Sequence, residues 1–300
     1  MAISRNQLVK ELEPGLNALF GLEYKQYENQ AAEIYTTESS DRAFEEEVML
    51  SGFAQARVKP EGSGVAFDNA QETFTARYTN ETIALAFAIT EEAIEDNLYD
   101  RLASRYTKAL ARSMASTKQV KGASPLNNGF GTFQSGDNVA LFSTAHPTIA
   151  GTFSNTLATA ADLNETSLEQ ALIDIAALTD ERGLKIAAKG VKMIIPSALQ
   201  FTAERLMKSQ GRVSTADNDI NAIRSMGMIP QGYRVNNYLT DTDAFFITTD
   251  VPNGMKHFNR APLTTKMEGD FDTGNVRYKA RERYVFGVSD PRGIFASPGA

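Results

Sequence analysis

A chain of 300 residues with 42% hydrophobic and 22% charged side chains has the length for one large domain or two ordinary ones, and too much apolar content for a disordered segment. The absence of cysteine excludes disulfides, thiolate nucleophiles and Cys-ligated metal centres, two histidines are too few for a multi-histidine site, and a net charge of -7 excludes a nucleic-acid binder held by overall basicity. No apolar run reaches membrane-spanning length and no secretory pattern follows Met1, so the expectation is a soluble protein, with no membrane partner, that stays in the cytoplasm where it is made.

The first fifty residues hold four basic against ten acidic side chains. Within them Leu8, Leu12, Leu16, Leu19 and Phe20 have helical spacing interrupted by Pro14-Gly15, which predicts short helical pieces joined to an extended arm. The pattern then changes to alternation. "FAQARV", "VAFDN", "ETFTARY" and "IALAFAI" read as strands, and Lys59, Pro60, Glu61, Gly62, Ser63 and Gly64 between them supply turn geometry for an exposed loop. Together they describe a β excursion projecting from the body.

Thr90 has the chemistry of an N-cap for the strongest predicted helix, about 90–120, with Gly122 as the first interruption. Ile94, Leu98, Leu102, Tyr106, Ala109 and Leu110 are expected on its core face, and Arg101, Arg105, Lys108 and Arg112 as a stripe of cations. After a loop-rich stretch to 159, "TSLEQALIDIAALTDERG" predicts an amphipathic helix with Thr166 and Glu169 as capping box and Gly183 as stop. "VKMIIP" reads as a short buried strand, "SALQFTAERLMKS" as a helix beginning after Pro196, and "AFFIT" as a strand. Such an order is that of an α+β fold.

The tail predicts a hairpin: "LTTKME", a tight loop of Gly269, Asp270, Phe271, Asp272, Thr273 and Gly274, and a long strand containing "RYKARER". Alternation in that strand puts Arg277, Lys279, Arg281 and Arg283 on one side and Val276, Tyr278, Ala280, Glu282, Tyr284 and Phe286 on the other. A row of cations on one face of a sheet calls for an anion. Residues 255–293 carry eight basic against five acidic side chains, so an acidic head and a basic tail either meet between copies or form two solvated surfaces.

Catalytic patterns are missing. No Gly-x-Ser-x-Gly occurs, "GFGTF" lacks the third glycine of a dinucleotide fingerprint, and no Gly-Lys-Ser or Gly-Lys-Thr is present. His146, in "STAHPT", is expected to serve a turn, and His257, in "MKHFNR", to be a strand histidine with a satisfied partner. Glu268, Asp270 and Asp272 lack the order of a calcium loop. The expectation is no catalytic residue, cofactor or metal, and hence not an enzyme.

The stretches "ELEPGLNALFGLEY", "FAITEEAIEDNLYDRLASRYTKALARSM", "TADNDINAIRSMGMIP", "YLTDTDAFFITTD" and "VRYKARERYVFGVSDPRG", in this order over nearly the whole chain, resemble the major capsid proteins of tailed bacteriophages, which have the Hong Kong-97 fold, and in particular their Mu-like head-subunit branch. The resemblance implies an N-arm at 1–45, an E-loop at 46–88, a P-domain at 89–120 and 244–288 with residues 269–274 as its loop, and an A-domain at 121–243 and 289–300. It also implies a non-catalytic subunit that assembles, in the host cytoplasm, into hexamers and pentamers of an icosahedral virion capsid around double-stranded DNA, contacted without sequence specificity. A portal, a decoration protein and a separate scaffold protein are expected partners, the last because the chain starts with Met1 almost at the arm. Both cationic rows are expected to face anions at subunit boundaries or on the genome, the alternative being pairs within the subunit to Glu268 and Asp270. Lys59 and Asn275 are candidates for an isopeptide crosslink by residue type alone. The rival readings are an encapsulin-like shell around a protein cargo and an α+β enzyme using His146 or His257.

Overall fold

The computed structural model describes residues 5–90, 92, 99–212, 219–270 and 274–300, of which 5–12 and 99–102 are described by backbone alone. In chain order its elements are α1 (Arg5–Gln26), β1 (Thr36–Ser39), β2 (Phe44–Leu50), β3 (Glu72–Thr79), β4 (Glu81–Ile89), α2 (Tyr99–Asn127), β5 (His146–Thr148), β6 (Gly151–Phe153), α3 (Glu165–Ala177), β7 (Gly190–Ile195), α4 (Gln200–Lys208), α5 (Ala222–Met226), β8 (Tyr233–Val235), β9 (Phe245–Thr249), β10 (Met255–Gly269), β11 (Val276–Val288) and β12 (Ile294–Ser297). The α+β class is as expected.

Two four-stranded sheets organise the molecule. The first has the order β1-β10-β11-β4, antiparallel except for the parallel β1–β10 pair. Alternation along β11 buries Val276, Tyr278, Ala280, Glu282 and Tyr284 beneath α1 and α2. The second sheet, β12-β9-β7-β8, packs against the side chains of α3, α4 and α5 around Leu168, Ile175, Met193, Phe245, Ile247 and Phe295. A third cluster, including Tyr35, Leu126, Phe142, Phe246 and Met255, closes the seam between the two lobes. There the backbones touch: a Cβ on Gly254 would lie 2.8 Å from the Cα of Gly293, so only glycine fits.

Several local expectations are corrected. Pro14 does not break α1, which runs 22 residues through it. An internal proline costs about 3 kcal/mol or more, and burial of Leu16 and Phe20 against α2 and the sheet offsets it. Gly122 does not end α2, which continues through Pro125 to Asn127. It is instead a close-approach position, where a Cβ would come within 2.6 Å of the Cβ of Ala31. On α2 the buried face is Ala103, Thr107, Leu110, Ala111 and Met114, while Tyr106 and Ala109 are exposed. At about 100° per residue those five buried positions share an arc of about 100°, and Tyr106 and Ala109 fall outside it. Glu91, Ile94 and Leu98, and the side chain of Leu102, lie outside what is described.

The N-cap of α3 is Asn164, whose side chain and that of Ser167 form the capping box in place of Thr166 and Glu169. The helix stops at Leu178, and Gly183 (φ 82°) serves the turn after it, donating to the Asp180 carbonyl at 3.1 Å. The strands β7 and β9, the helix after Pro196 and the β10–β11 hairpin lie where the pattern put them.

The β excursion is a two-stranded ribbon, β2 against β3, closed by residues 51–71. No strand forms at "FAQARV" or "VAFDN", because neither has a partner within its own chain. "IALAFAI" does form a strand, β4, but it belongs to the first sheet and is not part of the ribbon.

Candidate assembly surface

The exposed face of the first sheet is built by register. Arg277, Lys279, Arg281 and Arg283 on β11 stand opposite Ala88, Ala86, Ala84 and Thr82 on β4. On β10 their partners are Glu268, Lys266, Thr264 and Ala261. Residues directly opposite share a face, so a column of cations runs between a row of small side chains and a mixed row. Arg277 pairs with Asp270, as the within-subunit alternative requires, whereas Glu268 pairs with Lys266 of its own strand and not with a member of the row. The rest of the column is unmatched. Among the described residues no acid lies within ion-pair distance of Lys279, Arg281 or Arg283, and the Arg283 Nε is buried without a partner. Lys266 and Lys279 stand directly opposite one another, a like-charge pairing that destabilises an isolated sheet. Beside them lies a cavity of about 340 Å³ lined by Ala86, Lys266, Glu268, Asp270, Arg277 and Lys279.

The second cationic row does not join the first. Arg105, Lys108 and Arg112 are exposed on α2, which covers the opposite face of the sheet. Two cationic surfaces therefore flank one layer. The side chain of Arg101 lies outside what is described.

Between them the layer buries ionisable groups of its own. Glu282, in the middle of the basic run, points inward to Lys118 at 3.3 Å, with 2% of its side chain exposed. Burial pushes its carboxyl above the usual range, and Lys118 opposes that shift. Lys118 also sits 4.9 Å from the Tyr284 ring centroid. His257 stacks on Phe286 and its Nδ1 lies 3.1 Å from the Thr37 hydroxyl, while its Nε2 is buried without a partner. Burial first, and Lys118 second, push the His257 pKa down to about 4. The expected satisfied partner exists for one ring nitrogen only.

The loop at 53–71 has every residue exposed, including Phe53, Val58 (95%), Val65 and Phe67 (97%). Lys59, Pro60, Glu61, Gly62, Ser63 and Gly64 form its tip. Ser63 donates to the Pro60 carbonyl through both N–H and hydroxyl, and Gly62 (φ 76°) takes the left-handed position. At the hairpin tip, Asp270 N–H donates to the Asn275 carbonyl and Gly274 N–H to the Asp270 carbonyl; Phe271, Asp272 and Thr273 lie outside the described residues.

His146 is not a turn residue. It is fully buried on β5, with Nδ1 2.6 Å from Asp137 Oδ2 and its ring stacked on Phe153. Asn155 is oriented by donating to the Leu141 and Pro291 carbonyls, which leaves its Oδ1 facing the His146 Nε2 at 3.1 Å. Arg292 lies over the other half of the cluster, bonded to Glu181 at 2.8 Å and Asp290 at 3.3 Å. Apart from Glu181 Oε2, which is buried without a partner, the polar groups of the cluster bond to one another or to backbone carbonyls. Sequence reading missed this because Asp137, Asn155, Glu181 and Arg292 arrive from four separate segments.

The acidic head and basic tail meet within one chain. Lys256 on β10, 6% exposed, pairs with Glu38 at 3.0 Å and with Glu47 on the ribbon. Glu47 in turn accepts from Ser289, which contacts the Tyr78 hydroxyl. This cluster fixes the base of the ribbon.

A profile described as "Phage capsid protein" matches residues 72–297. No curated protein matches the chain. Among solved structures, the chain is similar to the virus-like particle of Pyrococcus furiosus (TM-score 0.55, 10% identity, 95% of this chain and 98% of that one). It is also similar to the capsid of Myoviridae phage XM1 (0.55, 12% identity, 89% of each chain), and to the procapsid of bacteriophage JBD30 (0.55, 15% identity, 98% of this chain and 76% of that one). At these identities the likeness is one of fold.

Proposed function

The chain belongs to the phage capsid protein family, and from that premise we propose how its surfaces serve a shell. It is a structural major capsid protein with the Hong Kong-97-type fold, and its role is self-assembly. In the proposed division 1–45 is the N-arm, 46–88 the E-loop, 89–120 and 244–288 the P-domain, and 121–243 and 289–300 the A-domain. Hexamers and pentamers of this one subunit close an icosahedral head around double-stranded DNA, with a portal and a scaffold protein as partners and assembly in the host cytoplasm.

The observation that carries this reading is the nineteen-residue run, 53–71, with no buried residue and four large apolar side chains in water. A stable monomer has no use for such a loop, whereas a neighbour gains apolar burial worth about 25 cal/mol per Å² by covering it. The unmatched Lys279, Arg281 and Arg283 are proposed to face carboxylates of an adjacent subunit, and the α2 row either the same or the phosphates of the genome.

Co-expression of the chain with its neighbouring genes, followed by electron microscopy of the lysate, tests the class. Closed particles are expected; their absence with and without every neighbouring gene would sink it. The similarity to the Pyrococcus furiosus virus-like particle over 98% of that chain favours one second reading, a nanocompartment around protein cargo. Nuclease-protected DNA in purified particles, against a co-purifying enzyme, separates the two.

A further inference from the structure

Next to the hairpin tip, the exposed face of the first sheet sinks into the cavity of about 340 Å³ between Ala86, Lys266, Gly269, Arg277 and Lys279. Small residues make the room. Ala86 stands opposite Lys279 on the neighbouring strand, and a Cβ built on Gly269 would meet nothing within 4 Å. Three cations line the space against two carboxylates, Glu268 and Asp270.

The two ion pairs there do not exhaust the cations. Arg277 gives one nitrogen to Asp270, and Lys266 donates to Glu268, whereas a guanidinium carries five N–H donors and an ammonium three. Among the described residues no acid lies within ion-pair distance of Lys279. Lys266 and Lys279 are also direct partners across the ladder, which sets two ammonium groups side by side at a cost to the isolated sheet. Unspent donors from three side chains thus line one space. Because they come from two strands and include a planar guanidinium, they match an anion with several oxygens better than a halide.

We propose that this cleft binds a small multivalent oxyanion, with inorganic phosphate as the ligand, between Lys279 and Lys266 and against the remaining N–H groups of Arg277. Phosphate there separates the two ammonium groups and supplies the counter-charge that Glu268 and Asp270 do not. All of these residues belong to one copy, so the inference goes beyond the shell reading and stands or falls on the free subunit. It also adds a step to that reading, because a neighbour's carboxylate reaching Lys279 has to displace the ion.

Reductive methylation of lysines, followed residue by residue in the unassembled subunit, is compared in phosphate and in chloride at an equal ionic strength of about 0.1 M. Lys279 and Lys266 are expected to react at least about fivefold more slowly in phosphate, and Lys108, exposed on α2, at the same rate in both salts. Equal rates at Lys279 in the two salts overturn the proposal. So does an equal slowing at Lys108, which marks an ionic atmosphere common to all surface cations. Two variants separate a shaped site from a charged surface. Ala86→Leu keeps every charge and fills the cleft, and Lys279→Gln removes the unpaired cation; both are expected to abolish the protection of Lys266 by phosphate. Protection that survives in either variant overturns the proposal too.

Discussion

Gly287 lies against Tyr78 so closely that a Cβ there would come within 2.4 Å of a ring carbon. Gly287→Ala therefore forces the ribbon base apart, and a loss of about 1–3 kcal/mol is expected from overpacking, read as a lower urea midpoint of the unassembled subunit. Glu282→Gln should cost about 1–3 kcal/mol, because it leaves the part-buried Lys118 without its counter-ion; a midpoint unchanged from the parent would show that water relieves the lysine. His257 gives the pH dependence. Its folded-state pKa is lowered from 6.5 to about 4, so as pH falls below 6.5 the unfolded chain takes up a proton that the folded one refuses. His257 thus contributes stability that is fully present above pH 6.5 and is lost on descending toward 4, on the order of 3 kcal/mol in all. Denaturation midpoints across that window should fall less steeply in His257→Gln than in the parent, and parallel curves would exclude the assignment.

Among elements, legibility in the sequence followed where each one finds its partner. The hairpin of β10 and β11 was readable because its partners are adjacent in sequence and alternation survives along β11 and in the half of β10 next to the tip. Helix α1 was read as two pieces because proline is scored locally, whereas the face carrying Leu16 and Phe20 is paid for by contacts more than eighty residues away. Gly122 misled for a similar reason, since its requirement comes from Ala31 and not from its own helix. The cationic column could be read directly from period two; which of its members lack an acid could not, because that depends on where each acid turns, Asp270 to Arg277 and Glu268 to Lys266. The loop at 51–71 is the reverse case, with strand patterning at 53–58 that a single copy leaves unused. Replacing 53–69 by a Gly-Gly linker is accordingly expected to leave the urea midpoint of the subunit within about 0.5 kcal/mol of the parent, as for surface changes generally, while particle yield in micrographs collapses. Normal particles from the shortened chain would remove the loop from any part in assembly.

For the whole molecule, the question is which surfaces one copy leaves unfinished. Lys279→Glu combined with Arg281→Glu changes only exposed side chains with no ion pair among the described residues. Folding should be nearly unaffected and assembly impaired, with the parent's assembly weakening as added salt shortens the screening length below about 8–10 Å; wild-type yields from the reversed protein would assign those cations to solvent. The touching backbones of Gly254 and Gly293 bear on how such a shell can move. With no side chain between them, the joint offers no rotamer to turn and nothing soft to compress, so a methyl group added at either position has to wedge the two lobes apart and change the angle at which every copy meets its neighbours.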